Sequence, residues 1–309
     1  MYQIRPSTKL GVWSLFLLTL IFIIASFSNR VFGTSNTFIF EFNSKNLKNL
    51  VEKNLDGKKG EYAVIIEGLS WEKGSSYDLQ KYSLRPFETF PAASLYKLYL
   101  LAAVFKKIEE GSLKPDDGIT ATKQHLTDKL GAVDFGYEDR EEKIVYTVEE
   151  ALQRVGRISD NFASIMLAEE IGWNQVQKQA DSLGSLNTNI SGSIQTSASD
   201  TANFFRKLYK GEIVSPSVSQ KILECLSLSK INDRIPAGVP EGVKTVHKTG
   251  ELSRVRHDAG IVYLPSGEGK EDRAYVIVML SKNLQYEDEA VETLVNISKD
   301  VYEYFSSKK

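Results

Sequence analysis

Phe90-Pro91-Ala92-Ala93-Ser94-Leu95-Tyr96-Lys97 runs without a break into Leu98-Tyr99-Leu100-Leu101-Ala102-Ala103-Val104-Phe105. The second half carries apolar side chains on every face of a helix. Such a helix lies inside a domain, surrounded by others. The spacing predicts a helix from Lys97 to Ile108, with Ser94 in its first turn and Lys97 over the same face. Working outward, strands stand at both ends of the chain and helices between them. Asn46 to Leu55 reads as a helix, Tyr62 to Glu67 as a buried strand and Tyr77 to Ser83 as a second strand beyond the turn Gly74-Ser75-Ser76. Thr147-Val148-Glu149-Glu150 is a capping box, Asn161 to Ile171 keeps helical spacing, Ser199-Asp200 caps a helix to Leu208, and Ser217 to Leu228 is another. Val243 to Thr249, Asp258 to Leu264 and Ala274 to Leu280 are strands, the last two joined across Pro265 to Gly269, and a helix with Ala290, Val291, Leu294, Ile297, Val301 and Phe305 on one stripe closes the chain. The expected fold is α/β (α+β): an antiparallel five-stranded sheet flanked by N- and C-terminal helices, with an inserted all-helical lobe. The sheet lobe takes 46–90 and 240–309, and the helical lobe 91–239.

With 38 basic and 40 acidic residues in 309, no basic excess points to nucleic acid. Cys225 is the only cysteine, which excludes an internal disulfide and a cysteine-based metal site. Among Ile222, Leu223 and Leu226 it reads as a buried structural thiol. No metal or cofactor is called for, and a monomer is expected. Leu10 to Phe27 is an uncharged apolar run behind Arg5 and Lys9. It reads as an uncleaved signal anchor or a cleaved secretory signal, so residues 1–33 are set apart and 34–45 form a tether. The expected location is membrane-anchored and extracytoplasmic, at the cell envelope, or secreted if the signal is removed.

S-x-x-K occurs four times, at Ser70, Ser94, Ser227 and Ser306, so the pattern alone says nothing. Ser94 differs because it opens the buried helix. The positive end of the helix dipole favours an alkoxide there. Burial disfavours the ammonium of Lys97 and lets its amine act as a base on the serine hydroxyl. Ser159-Asp160-Asn161 lies between two helices. Read as chemistry, Ser159 relays a proton to a leaving nitrogen, Asn161 orients Lys97 and a substrate amide, and Asp160 holds the turn; read blandly, it is an N-cap. Lys248-Thr249-Gly250 lies on a strand, where Lys248 and Thr249 suit a substrate carboxylate and Gly250 lets a substrate backbone approach. The Glu251 and Ser94 backbone N–H groups would form an oxyanion hole. Arg254, Arg256 and His257 are further candidates for the cleft, and His247 and His257 also suit plain packing on the sheet.

These three strings in this order, with Phe90-Pro91 before the first, Tyr146 to Glu150 before the second and His257-Asp258-Ala259-Gly260 after the third, resemble the penicillin-recognising serine enzymes, above all the class A β-lactamases. The resemblance runs from about Asn46 to Phe305. It implies attack of Ser94 on a β-lactam or on the D-alanyl-D-alanine bond of a peptidoglycan stem peptide, through an acyl-enzyme. One departure stands out. Class A enzymes carry a deacylating glutamate between the second and third motifs, yet no glutamate occurs between Glu170 and Glu212. Gln195 cannot take a proton, and Glu169 and Glu170 read as solvated helix residues. Both a β-lactamase and a D-alanyl-D-alanine peptidase stay open, as does a non-turnover penicillin-binding envelope protein acylated once at Ser94. A Ser-His-Asp hydrolase is disfavoured by the lack of a G-x-S-x-G elbow.

Overall fold

The computed structural model describes residues 44–70, 78–131, 142–265 and 273–308. The apolar run 10–27, most of the tether, the turn 74–76 and most of the 265–269 connection lie outside the described residues. No helix among the described residues is long and apolar enough to cross a membrane.

The strands are β1 (Glu61–Leu69), β2 (Lys81–Leu84), β3 (Thr89–Pro91), β4 (Gly118–Thr122), β5 (Lys143–Thr147), β6 (Gln195–Ser197), β7 (Thr245–Leu252), β8 (Val255–Tyr263) and β9 (Ala274–Lys282). The α-helices are α1 (Lys45–Leu55), α2 (Lys97–Glu109), α3 (Lys123–Lys129), α4 (Val148–Ile158), α5 (Asn161–Ile171), α6 (Trp173–Ser182), α7 (Ala198–Tyr209), α8 (Pro216–Ser227) and α9 (Glu287–Ser306). Five strands form one antiparallel sheet in the order β2-β1-β9-β8-β7. The two ends of the chain meet at its centre, where Glu61 pairs with Lys282 and Leu69 with Ala274.

Period-two alternation sorts the sheet's side chains between two cores. Val64, Ile66, Tyr275, Ile277 and Met279 face α1 and α9, against Leu47, Val51, Leu294, Ile297, Val301 and Phe305. Ala63, Ile65, Val276, Val278 and Ile261 join the helical core instead. Helix α2 is buried at every position from Lys97 to Phe105 and packs on α5, α6 and α8. The expected fold class therefore holds, with local differences. The second strand begins at Lys81, because Asp78 and Leu79 form a turn. Helix α7 starts earlier than expected, capped by Ser197, whose hydroxyl accepts from Asp200 N–H at 3.1 Å. The Asp200 carboxylate is left to accept from Asn187 N–H (2.7 Å) and the Thr188 hydroxyl (2.8 Å), fastening the 183–194 connection. Helices α3 and α6 and the small pairs β3–β6 and β4–β5 were not expected; they are short or polar and gain their shape from neighbours. Cys225 is half-buried rather than sealed in the core; burial, with Glu149 and Glu224 nearby, pushes its thiol up to about 12.

Candidate active site

Strand β3 delivers Ser94. Pro91 pairs with Gln195 of β6, and Ala92 N–H donates to Ile194 O at 3.0 Å. From the sheet, His257 Nε2–H donates to Pro91 O at 2.7 Å while its Nδ1 accepts from Ser281 N–H at 3.0 Å. Those bonds fix one tautomer, and burial lowers the imidazole pKa to about 4, so the ring is neutral at pH 7. His257 thus supports the site from behind, the packing alternative of the sequence. Ala93 then takes φ +47°, a left-handed conformation that costs an L-residue about 1–3 kcal/mol. This forces a 3-10 turn, Ala93–Tyr96, ahead of α2. Ser94 sits in that turn rather than in the first turn of the α-helix. The three-residue repeat of a 3-10 turn eclipses positions 94 and 97 more closely than an α-turn would.

Lys97 is the first residue of α2 and fully buried. Its Nζ donates to Ser159 O (2.6 Å) and Asn161 Oδ1 (2.7 Å), with Ser159 Oγ at 3.4 Å. Burial lowers its pKa to about 7, against the opposing pull of the Asp160 carboxylate. Ser159 ends α4 in a left-handed conformation (φ +56°), and Asp160 begins α5 as its N-cap. Asp160 accepts from Ala163 N–H (3.0 Å) and Arg154 Nε (2.8 Å), so it holds the turn as its cap chemistry requires.

Lys248 stands in β7, also buried, and donates to Ser159 Oγ (2.7 Å) and Thr249 O (2.9 Å). Burial, reinforced by the Lys97 charge, lowers its pKa well below that of a free lysine. The Ser159 oxygen accepts from Lys248, and its own hydrogen is free to point toward a ligand. Thr249 is buried beside Lys248. Gly250 makes room for protein rather than opening space for a substrate: a Cβ there would stand 3.1 Å from the His257 ring, 3.2 Å from Ala93 Cβ and 3.3 Å from Ala92 O. Glu251 lines the cleft and pairs with Arg234.

Arg234 was missed by the sequence. Its side chain is 1% exposed; Nη2 pairs with Glu251, Nη1 lies 3.5 Å from the Asp233 carboxylate, and neither Nε nor Nη1 makes a hydrogen bond. A buried cation with unused donors beside Lys248 is a place for an anionic group. The loop that carries it is pinned by Asp258, which accepts from Ile235 N–H (2.9 Å) and pairs with His247 Nδ1 (2.9 Å). Arg254 and Arg256 are turned to other work: Arg254 donates to Leu284 O and Asn283 O, and Arg256 pairs with Glu287.

A cleft of about 670 Å³ opens at Ser94, walled by Tyr96, Asn161, Ile165, Trp173 and residues 190–194. Glu251 is the only carboxylate among its described lining residues, and Arg234 holds it. Glu169 is not a bare solvated side chain; it bridges His125 (2.8 Å) and Lys129 (3.4 Å). Gln195 is a partner of Pro91 in β6 and does not line the cleft. No cluster of His, Cys, Asp and Glu among the described residues could hold a metal ion.

The chain is similar to several known proteins. The extended-spectrum beta-lactamase PER-1 of Pseudomonas aeruginosa is 24% identical over 243 residues, 72% of this chain and 76% of that protein. Among solved structures, PBP-A is 25% identical with a TM-score of 0.71, covering 84% of this chain and 96% of its own. A point variant of PBP-A is known as an acyl-enzyme complex with penicillin G. The TLA-1 extended-spectrum beta-lactamase has the same fold, with a TM-score of 0.71 at 22% identity over 86% of this chain and 100% of its own. The beta-lactamase enzyme family matches residues 44–305, nearly all that follows the N-terminal segment, and the chain belongs to that family as a serine beta-lactamase-like hydrolase.

Proposed function

We propose that this hydrolase is a D-alanyl-D-alanine peptidase that penicillins acylate at Ser94 and that releases them slowly. The observation that carries the acylation half is Lys97, buried and with a pKa of about 7, joined through Ser159 to Lys248. Neutral Lys97 takes the Ser94 hydroxyl proton as Oγ attacks the carbonyl. The oxyanion is met by the backbone N–H groups of Ser94 and Glu251. Ser159 then gives its proton to the departing nitrogen, and the proton held on Lys97 restores Ser159. Lys248, Thr249 and Arg234 receive the substrate carboxylate, and Asn161 the amide on the acyl side. Water completes the cycle on the ester.

Slow release of a penicilloyl group is supported by the cleft wall at 190–194, Ile-Ser-Gly-Ser-Ile, which offers no carboxylate to activate water. PBP-A, held as a penicillin G acyl-enzyme in its variant form, has the same kind of covalent state. The catalytic domain, residues 46–309, would stand outside the cytoplasm behind the 10–27 segment, which serves as anchor or cleaved signal. Intact-mass measurement after mixing with benzylpenicillin tests the reading. One penicillin adduct on Ser94, persisting while free penicillin is stable, is the expected result. Sustained rapid turnover of a chromogenic cephalosporin would make the protein an efficient β-lactamase instead, and the absence of any adduct or turnover would remove the serine chemistry altogether.

A further inference from the structure

A second cavity, of about 460 Å³, lies beside α4 and away from the Ser94 lining. Arg154 and Arg157 of α4, Tyr146 of β5 and Lys230 surround it. One carboxylate, Glu150, joins them, but it accepts from Thr147 N–H (2.9 Å) in the capping box of α4. The Arg154 charge is matched by Asp160 at 2.8 Å, and its guanidinium lies 4.6 Å from the Tyr146 ring. Arg157 and Lys230 have no side-chain hydrogen bond or ion pair among the described residues, yet the fold keeps them adjacent: Lys230 N–H donates to Arg157 O at 2.8 Å. Two unmatched cations fixed beside a third repel one another unless an anion joins them. Two apolar side chains stand exposed at the rim, Val145 (60%) and Ile158 (43%), beside the polar Gln153. An inorganic ion would leave that rim unused, whereas a phosphate on a carbon carrier would cover it.

We propose that this cavity binds a phosphate group borne by an organic molecule, with the phosphate between Arg157 and Lys230 and the carrier against Val145 and Ile158. Phosphate suits the pair because guanidinium and ammonium both give it charge-assisted hydrogen bonds. The site adjoins the chemistry described above through one side chain. Arg154 lines this cavity and also holds Asp160, which caps the turn carrying Ser159 and Asn161. An anion between Arg157 and Lys230 would also attract Arg154, in competition with Asp160, and so would shift that turn. The proposal concerns binding and stands apart from the peptidase reading.

The test is an NMR titration of the full chain, isotopically labelled, with three probes: inorganic phosphate, glycerol 1-phosphate, and dihexanoyl-phosphatidylglycerol below its micelle concentration. Sodium chloride at matched ionic strength is the control. Saturable shifts at Arg157 and Lys230 are expected, with Ser159 and Asn161 amides following the same curve. Tighter binding of the short-chain lipid than of glycerol phosphate identifies a lipid headgroup as the source; equal binding identifies a soluble phosphate ester. Arg157→Gln with Lys230→Gln should weaken binding about ten-fold or more, while Arg157→Lys with Lys230→Arg should retain it. Both pairs of changes lie on partly or fully exposed side chains, and unchanged spectra elsewhere report their folding. Shifts that sodium chloride reproduces, or an affinity untouched by the charge-removing pair, overturn the site. Saturable shifts confined to Arg157 and Lys230 overturn the link to the Ser159 turn.

Discussion

The acylation rate should follow the deprotonation of Lys97. A free lysine with its ordinary pKa of 10.5 has roughly one amine in three thousand neutral at pH 7. Burial at the start of α2 brings the pKa to about 7, so about half is neutral there. The fold therefore raises the population of usable base by about three orders of magnitude. The direction is fixed by the sign: the amine is the base, so second-order acylation by benzylpenicillin should rise about ten-fold per pH unit below pH 7 and level off above it. The inflection belongs to the coupled pair, since Lys97 and Lys248 both reach Ser159 Oγ. Lys97→Arg keeps a cation that does not deprotonate in this range, and should lower the rate by about a thousand-fold while abolishing the inflection. Stopped-flow or quenched-flow mass measurement of penicilloyl formation between pH 5 and 9 reads both effects. A profile flat through pH 7 in the wild type, or an inflection that survives Lys97→Arg, would refute the assignment of Lys97 as base.

Three more outcomes follow from particular contacts. His257 is held neutral with a pKa of about 4, below its ordinary 6.5. Its folded state binds fewer protons than the unfolded chain between those values, so its contribution is whole above pH 6.5 and is lost as pH falls toward 4. The loss is about 3 kcal/mol, and urea unfolding of His257→Gln should lack that part of the slope; equal slopes in both proteins would contradict it. Gly260→Ala would bring a Cβ to 2.5 Å from Val246 O and 2.6 Å from His247 Cβ. Backbone atoms leave little room to give, so the urea midpoint should drop by the equivalent of about 3 kcal/mol or more, and a change under about 0.5 kcal/mol would show that β7 and β8 separate easily. Ser191→Glu and Ser193→Glu place a carboxylate on the exposed cleft wall. At least one should shorten the penicilloyl lifetime ten-fold or more (about 1.4 kcal/mol of barrier), and unchanged lifetimes in both would mean that a missing base is not what slows release.

The motifs were legible because each carries its own local context. Ser94 stood out among four S-x-x-K matches since only it leads into a helix with no polar face. Ser227–Lys230, the same pattern at the end of α8, instead lends Lys230 to a different cavity. Asp160 could be read as a cap and proved to be one. What stayed hidden depends on distant partners. Arg234 belongs to no motif, and the loop that carries it is held by side chains far along the chain, Asp258 on Ile235 N–H and His247 on Asn232 Oδ1 (3.1 Å). His257 could not be divided between lining the cleft and supporting it until Pro91 O and Ser281 N–H were seen on its two nitrogens. Gly250 suggested space for a ligand, but a strand's neighbours across the sheet decide what fills such space, and here the Ser94 turn does. Helices α3 and α6 escaped for a related reason: both are short, and neighbours order them, α5 and β4 beside α3 and α2 beside α6.

The site gathers several unfavourable features in one place. Ala93 and Ser159 are left-handed L-residues, each at about 1–3 kcal/mol, and two lysines are buried side by side, each with its pKa driven down. None of these helps the chain fold. They persist because each is anchored to an element whose own stability comes from elsewhere. Ala93 is clamped between β3–β6 pairing and the His257 bond to Pro91, while Ser159 is caught between two capped helices. Lys97 belongs to a helix whose next eight side chains are all buried apolar ones, and Lys248 to the middle of an eight-residue strand. A base that must be neutral near pH 7 needs a low-dielectric setting, and a nucleophile that must meet substrate needs an exposed turn. The left-handed step at Ala93 satisfies both demands within four residues, leaving Ser94 at the cleft and Lys97 in the core.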